Sequence, residues 1–193
     1  MATRRNWLLS LVAVALAGGS LCGCSPAKAA KRPEQVRPFT LTDQHGQTVT
    51  ERTFLGKPTA FFFGFTYCPE VCPTTLASLT RWMQALGPKA DRLNVVYVTI
   101  DPERDTPKQM ALYLSAFDPR IHGLSGTLSE TAKIAKEFRV FYQKVPLDGG
   151  GYSMAHSTAI YLMDSAGQLR DVISYEEKDK DAVAQLEALI RSN

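Results

Sequence analysis

Apolar residues recur along this chain in two rhythms, and the alternation between them outlines the fold. Phe39-Thr40-Leu41 and Val49 flank the polar run Thr42-Asp43-Gln44-His45-Gly46-Gln47, which predicts two short strands joined by a turn. Lys57-Pro58 opens a near-continuous apolar run from Thr59 to Phe63, the pattern of a strand buried on both faces. Leu76, Leu79, Met83 and Leu86 then fall at helical spacing, so a helix runs from Cys72 and stops near Gly87-Pro88. Leu93 to Ile100 is a second buried strand. It empties into the polar loop Asp101-Pro102-Glu103-Arg104-Asp105, after which Thr106 caps a helix with Pro107 at its first position, running to about Phe117. Thr127-Leu128-Ser129-Glu130 is a capping box for a helix ending near Phe138. Val140 to Lys144 reads as a strand, Leu147 to Tyr152 as a glycine-rich loop, and His156 opens a strand to Met163. Asp164-Ser165-Ala166-Gly167 turns the chain into Leu169 to Ser174, and an amphipathic helix from Asp179 to Ile190 closes it. The sum is an α/β domain: a central mixed sheet flanked by helices, with an N-terminal β-hairpin.

The first residues do not belong to that pattern. Arg4 and Arg5 precede the apolar stretch Trp7 to Ala17, which is too short to span a bilayer, and small residues follow it. Leu21-Cys22-Gly23-Cys24-Ser25 resembles a bacterial lipoprotein box, so residues 1–23 read as a signal peptide and Cys24 as the acylated first residue of the mature chain. Plain secretory cleavage near Ala27-Lys28-Ala29 is the alternative. Thr3-Arg4-Arg5-Asn6-Trp7-Leu8 also resembles a twin-arginine signal. Either leader places the mature protein outside the cytoplasm, anchored to a membrane if Cys24 carries lipid. Residues 24–37, rich in Ala, Lys and Pro, read as a tether, leaving 38–193 as the folded domain. Removing Arg4 and Arg5 takes the net charge from +3 to +1 with the basic residues interspersed, which argues against a nucleic-acid partner.

With Cys22 and Cys24 assigned to the leader, the domain keeps only Cys68 and Cys72, within Phe65-Thr66-Tyr67-Cys68-Pro69-Glu70-Val71-Cys72-Pro73. A bridge between residues so near in sequence would close almost no loop, so a structural staple explains them poorly. Cys72 in the first turn of its helix and Cys68 on the loop before it would face the same way, both thiols acidified by the helix terminus. Two thiolates suit thiol–disulfide chemistry or a soft metal. With one imidazole they make a three-coordinate set fitted to Cu(I), whereas structural zinc asks for four ligands. His156 is the best-placed histidine, after Gly149-Gly150-Gly151 and at the mouth of a strand; His45 reads as a turn residue and His122 as a loop residue. Each histidine taken alone reads first as an ordinary polar residue. A cysteine motif ending the first strand–helix unit also resembles a thioredoxin-like fold, although the spacing here is Cys-x-x-x-Cys.

Together, Phe65 to Thr74, Asp101 to Pro107, His156-Ser157 and Tyr161-Leu162-Met163-Asp164 resemble the Sco/SenC family, from about Phe39 to the C-terminus. The resemblance implies a thioredoxin-like, copper-binding domain that helps metallate the dinuclear copper centre of cytochrome c oxidase. Its partners would be the copper-receiving oxidase subunit and a second copper chaperone. By position, Cys68, Cys72 and His156 carry over as copper ligands. Ala155 departs from the pattern, since many members carry an acidic residue there. Asp101 either faces the cysteine loop or pairs with Arg104 and Asp105 to hold the turn. Met154 is either a weak axial donor or core packing, and Tyr67 and the phenylalanines are core or shield. Copper is expected to bind only the reduced pair, with the glycine run letting His156 release first. The rival reading is a thiol–disulfide oxidoreductase that keeps the target's cysteines reduced and does not need His156. A peroxidase fits less well, because peroxiredoxins resemble Thr-x-x-Cys whereas Thr66 lies two residues before Cys68. A copper sensor would use the same ligands.

Overall fold

The computed structural model describes residues 38–192, so the leader, Cys24 and the whole of the tether lie outside the described residues. Among the described residues, nine strands and four α-helices follow one another as strand β1 (Thr40–Asp43), β2 (Thr48–Thr50), β3 (Thr59–Gly64), helix α1 (Val71–Leu86), β4 (Asn94–Thr99), α2 (Pro107–Leu114), β5 (Ile121–Ser125), α3 (Leu128–Glu137), β6 (Tyr142–Pro146), β7 (Tyr152–His156), β8 (Ile160–Met163), β9 (Leu169–Ile173) and α4 (Asp179–Arg191). Seven strands form one mixed sheet in the order β2-β1-β5-β4-β3-β8-β9. The centre, β3, β4 and β5, is parallel, as strand–helix–strand crossovers require. The hairpin β1–β2 and the pair β8–β9 extend it antiparallel on either side. This is the mixed sheet of a thioredoxin-like domain with the expected N-terminal hairpin.

Every residue of β3 is buried, because both faces of the sheet are covered. Alternation sends Phe61 and Phe63 to one face, where both rings meet Phe138 at the end of α3. Phe62 goes to the other, against Tyr97 of β4, which in turn lies beside Tyr113 of α2. Helix α1 buries Cys72, Leu76, Leu79, Met83 and Leu86, so its first turn is fixed by the same apolar stripe that holds its body.

Two elements differ from the sequence expectation. Ile121–Ser125 is a strand, inserted between β4 and β1, and His122 lies on it rather than in a loop. The run from His156 to Met163 is not one strand. His156 closes β7, whose partner is β6 in a separate two-stranded hairpin, and β8 begins only at Ile160 in the main sheet. The chain changes sheets across Ser157-Thr158-Ala159, leaving His156 at the base of the hairpin.

Candidate metal centre

The β3–α1 junction is built to present sulfur. Gly64 ends the strand, and Phe65, fully buried, turns the chain so that the Cys68 N–H donates to the Phe65 carbonyl at 3.2 Å. Proline lacks an N–H and is tolerated only in a helix's first turn, which is where Pro73 stands, directly after Cys72. The Cys72 N–H, in the first turn and so without an intrahelical acceptor, donates to Cys68 Sγ at 3.3 Å. Asp105, buried on the loop after β4, holds this segment from behind: its carboxylate accepts from Thr66 N–H (2.9 Å), Thr66 Oγ1 (2.6 Å) and Thr99 Oγ1 (2.6 Å). Burial pushes the Asp105 carboxyl above its ordinary pKa despite those donors. The sequence pattern places Asp105 only in a turn. Its tie to Thr66 crosses a loop and has no sequence signal beyond a carboxylate following a buried strand.

The hairpin supplies the third group. His156 Nε2 lies 3.6 Å from Cys72 Sγ, and the sulfur, sulfur and ring-nitrogen atoms of Cys68, Cys72 and His156 all fall within 4.8 Å of one another. His156 Nδ1 is 2.7 Å from the Ser157 carbonyl oxygen. A carbonyl only accepts, so Nδ1 carries the proton and, in the neutral ring, Nε2 keeps its lone pair toward the sulfurs. Phe65 packs edge-on to the imidazole at 5.8 Å. Ser157 ties the hairpin base twice, its N–H donating to the Phe141 carbonyl (2.9 Å) and its Oγ accepting from Phe141 N–H (3.0 Å). The triglycine run lies at the opposite tip, five paired residues away, so its freedom is not at the histidine. Met154 is buried in the core, and among the described residues His45 and His122 join no ligand cluster.

Asp101 and Arg104 join the hairpin to the sheet. Asp101, 1% exposed, accepts from Arg104 Nε and from the Tyr152 hydroxyl (2.8 Å). Arg104 Nη1 donates to the Tyr152 carbonyl at 2.9 Å, and its guanidinium lies 3.8 Å from the Tyr152 ring centroid and 4.8 Å from that of Tyr67. Asp101 pairs with Arg104 in the turn, as one of its two readings had it, and its bond from Tyr152 reaches β7, the strand that ends in His156. Tyr67 is exposed beside Arg104 rather than part of the core.

Electrostatically the two sulfurs are unequal, contrary to the expectation that the helix terminus acidifies both. Cys68, half-buried, is lowered to about 4, chiefly because the Cys72 thiol hydrogen-bonds to it, with the Cys72 N–H adding to the effect against burial. Cys72, with no exposed surface, is pushed far above the ordinary thiol value by that same bond and by burial. Two adjacent sulfurs in a dry site share one proton, as paired carboxylates do. The result is a reduced thiolate–thiol–imidazole cluster, both cysteines being free. Such a set offers two soft donors and one borderline donor to a three-coordinate ion, or a nucleophilic thiolate to a disulfide.

The SCO1/SenC family profile matches residues 27–191. The chain is 36% identical to the mitochondrial protein SCO1 of Saccharomyces cerevisiae over 164 residues, 83% of this chain and 56% of that protein. It is 38% identical to the mitochondrial SCO1 homolog 2 of Arabidopsis thaliana, over 74% of this chain and 52% of that one. The alignments thus span little more than half the length of these relatives. Among solved structures, Bradyrhizobium japonicum ScoI with copper bound superimposes with a TM-score of 0.75 at 44% identity, covering 80% of this chain and 99% of that one. Yeast Sco1 with copper bound gives 0.77 at 35%, covering 83% and 91%. With the family profile running from the tether into the last helix, the chain belongs to the SCO1/SenC family.

Proposed function

We propose that this protein is a copper chaperone that binds one copper ion through Cys68 Sγ, Cys72 Sγ and His156 Nε2 and delivers it to the copper-receiving subunit of cytochrome c oxidase, for its dinuclear centre. The observation that carries the reading is the convergence of those three atoms within 4.8 Å, with the Nδ1 proton committed to the Ser157 carbonyl. Relatives with copper bound at 44% and 35% identity support the choice of metal. Loading displaces the proton shared by the sulfurs, giving two thiolates and a neutral imidazole. Oxidation of the pair to a disulfide would consume two ligands at once and release the ion. Handover to a partner proceeds by ligand exchange, and the half-buried Cys68 and His156 are more accessible to an incoming donor than Cys72, which has no exposed surface.

The test is copper titration of the reduced protein beside Cys68→Ser, Cys72→Ser and His156→Ala. One equivalent should bind to the parent, with affinity lost in either serine variant and weakened at least tenfold in His156→Ala. Equal uptake without the imidazole would overturn the assignment. The acidic Cys68 favours a second reading, a thiol–disulfide reductase acting on the target's cysteines. That activity would survive His156→Ala and die with Cys72→Ser. The reading also includes export, with residues 1–23 removed, Cys24 acylated and residues 24–37 tethering the domain to an extracytoplasmic membrane face. Incorporation of labelled palmitate that disappears in Cys24→Ala checks the anchor.

A further inference from the structure

Tyr97, in the middle of β4, has no exposed surface, and its hydroxyl has no formed hydrogen-bond partner. Its strand neighbours Val95, Val96 and Val98 are apolar and equally buried. A phenylalanine would fill the same space without burying a polar atom, so an unpartnered hydroxyl here calls for an explanation. The neighbouring strand shows where the hydroxyl is aimed. A Cβ added at Gly64 would lie 2.7 Å from Cys72 Sγ and 2.8 Å from the Tyr97 hydroxyl oxygen, closer than real Cβ atoms approach anything. Glycine at that position leaves a gap that the sulfur and the phenol enter from different elements, α1 and β4. A metal-bound thiolate is a strong hydrogen-bond acceptor, and the Cys72 sulfur is the ligand that borders this gap.

We infer that Tyr97 is a positioning residue for the copper-bound state, its hydroxyl donating an O–H···S hydrogen bond to the Cys72 thiolate across the gap left by Gly64. The inference rests on the copper-binding reading and deepens it. Hydrogen bonding around a ligating cysteine sulfur tunes a copper site. Cu(I) draws less charge from its thiolates than Cu(II), so a donor to sulfur favours Cu(I). Tyr97 therefore biases the site toward the reduced ion and fixes the orientation of the buried sulfur.

The test compares the full reduced chain with Tyr97→Phe and, as a control, Tyr113→Phe. Tyr113 also has a buried, unpartnered hydroxyl, on the ring beside Tyr97 (6.0 Å between centroids). Two readouts are taken: the energy of the sulfur-to-Cu(II) charge-transfer band, and Cu(I) affinity by competition with bicinchoninate. In Tyr97→Phe the band should move to lower energy and Cu(I) affinity should fall about tenfold, at the lower edge of what losing a partner of a metal ligand does. Tyr113→Phe should match the parent in both. A 3-fluorotyrosine at position 97, a stronger donor in the same shape, should move the band the other way and serves if the phenylalanine variant folds poorly. Unchanged band and affinity in a copper-loaded Tyr97→Phe, or equal shifts in the two phenylalanine variants, overturn the inference while leaving the copper reading intact. A parent protein that takes up no copper overturns both.

Discussion

A single proton divides the two cysteines, and that division has a measurable signature. Because Cys68 is lowered to about 4, it is thiolate at neutral pH, and its alkylation by iodoacetamide should be flat from neutrality down to about pH 5. Below that the rate should fall with a midpoint near 4. The bond from the Cys72 thiol is the largest cause of the lowering, so Cys72→Ala should move the midpoint upward toward that of an ordinary thiol. Cys72 itself, buried and raised, should stay unmodified at neutral pH in the folded, metal-free protein. Asp105 acts at the same scale. Asp105→Ala strands the Thr66 N–H and two threonine hydroxyls, and should cost roughly 3 kcal/mol in urea unfolding, much more than a surface change. The sulfur positions were legible in sequence because Cys-Pro pairs at a strand–helix junction have few other uses. The inequality of the sulfurs was not, since it depends on Cys72 being sealed under β3 and β4, which no local pattern encodes.

Between β6 and β7 the chain forms an element that the sequence only half disclosed. The sequence pattern puts Tyr152 in the glycine-rich loop and starts a strand only at His156, so β7 goes unread but for its last residue, and the change of sheet after it leaves no mark in hydrophobic periodicity. Strand β5 was hidden for a related reason: Ile-His-Gly-Leu-Ser carries a glycine and a polar residue, so only its pairing with β4 and β1 reveals it. The long buried strands, the capped helices and the N-terminal turn were legible because each satisfies its local rule within its own span. What fixes the hairpin is non-local: Arg104 and Asp101 from the loop after β4 grip Tyr152 at the start of β7. Arg104→Ala leaves the buried Asp101 carboxylate without its cation, a loss of roughly 3 kcal/mol. It should also speed amide exchange across Tyr142–His156 and weaken copper affinity about tenfold, although no ligand is touched. Exchange and affinity both at parental values would leave the clamp without a role.

On the scale of the whole molecule, the three candidate ligands join segments that are far apart in the chain, Cys72 and His156 being separated by 84 positions. An ion held by both crosslinks helix α1 to the separate hairpin, and a ligand that binds only the folded chain stabilises it by mass action. At a free copper concentration of one hundred times the dissociation constant the gain is about 2.7 kcal/mol, a rise in melting temperature of several degrees for a domain of this size. His156→Ala should lose most of that rise while melting like the parent without metal. Such a crosslink also makes the far end of the hairpin useful. Its tip, Leu147 to Gly151, is exposed, reverses through Gly150 and Gly151 at φ of 88° and 76°, and stands about 15 Å along the strands from His156. A fluorophore attached there would sit clear of the cysteines yet ride on the arm that carries the imidazole, turning each loading and unloading event into an optical signal.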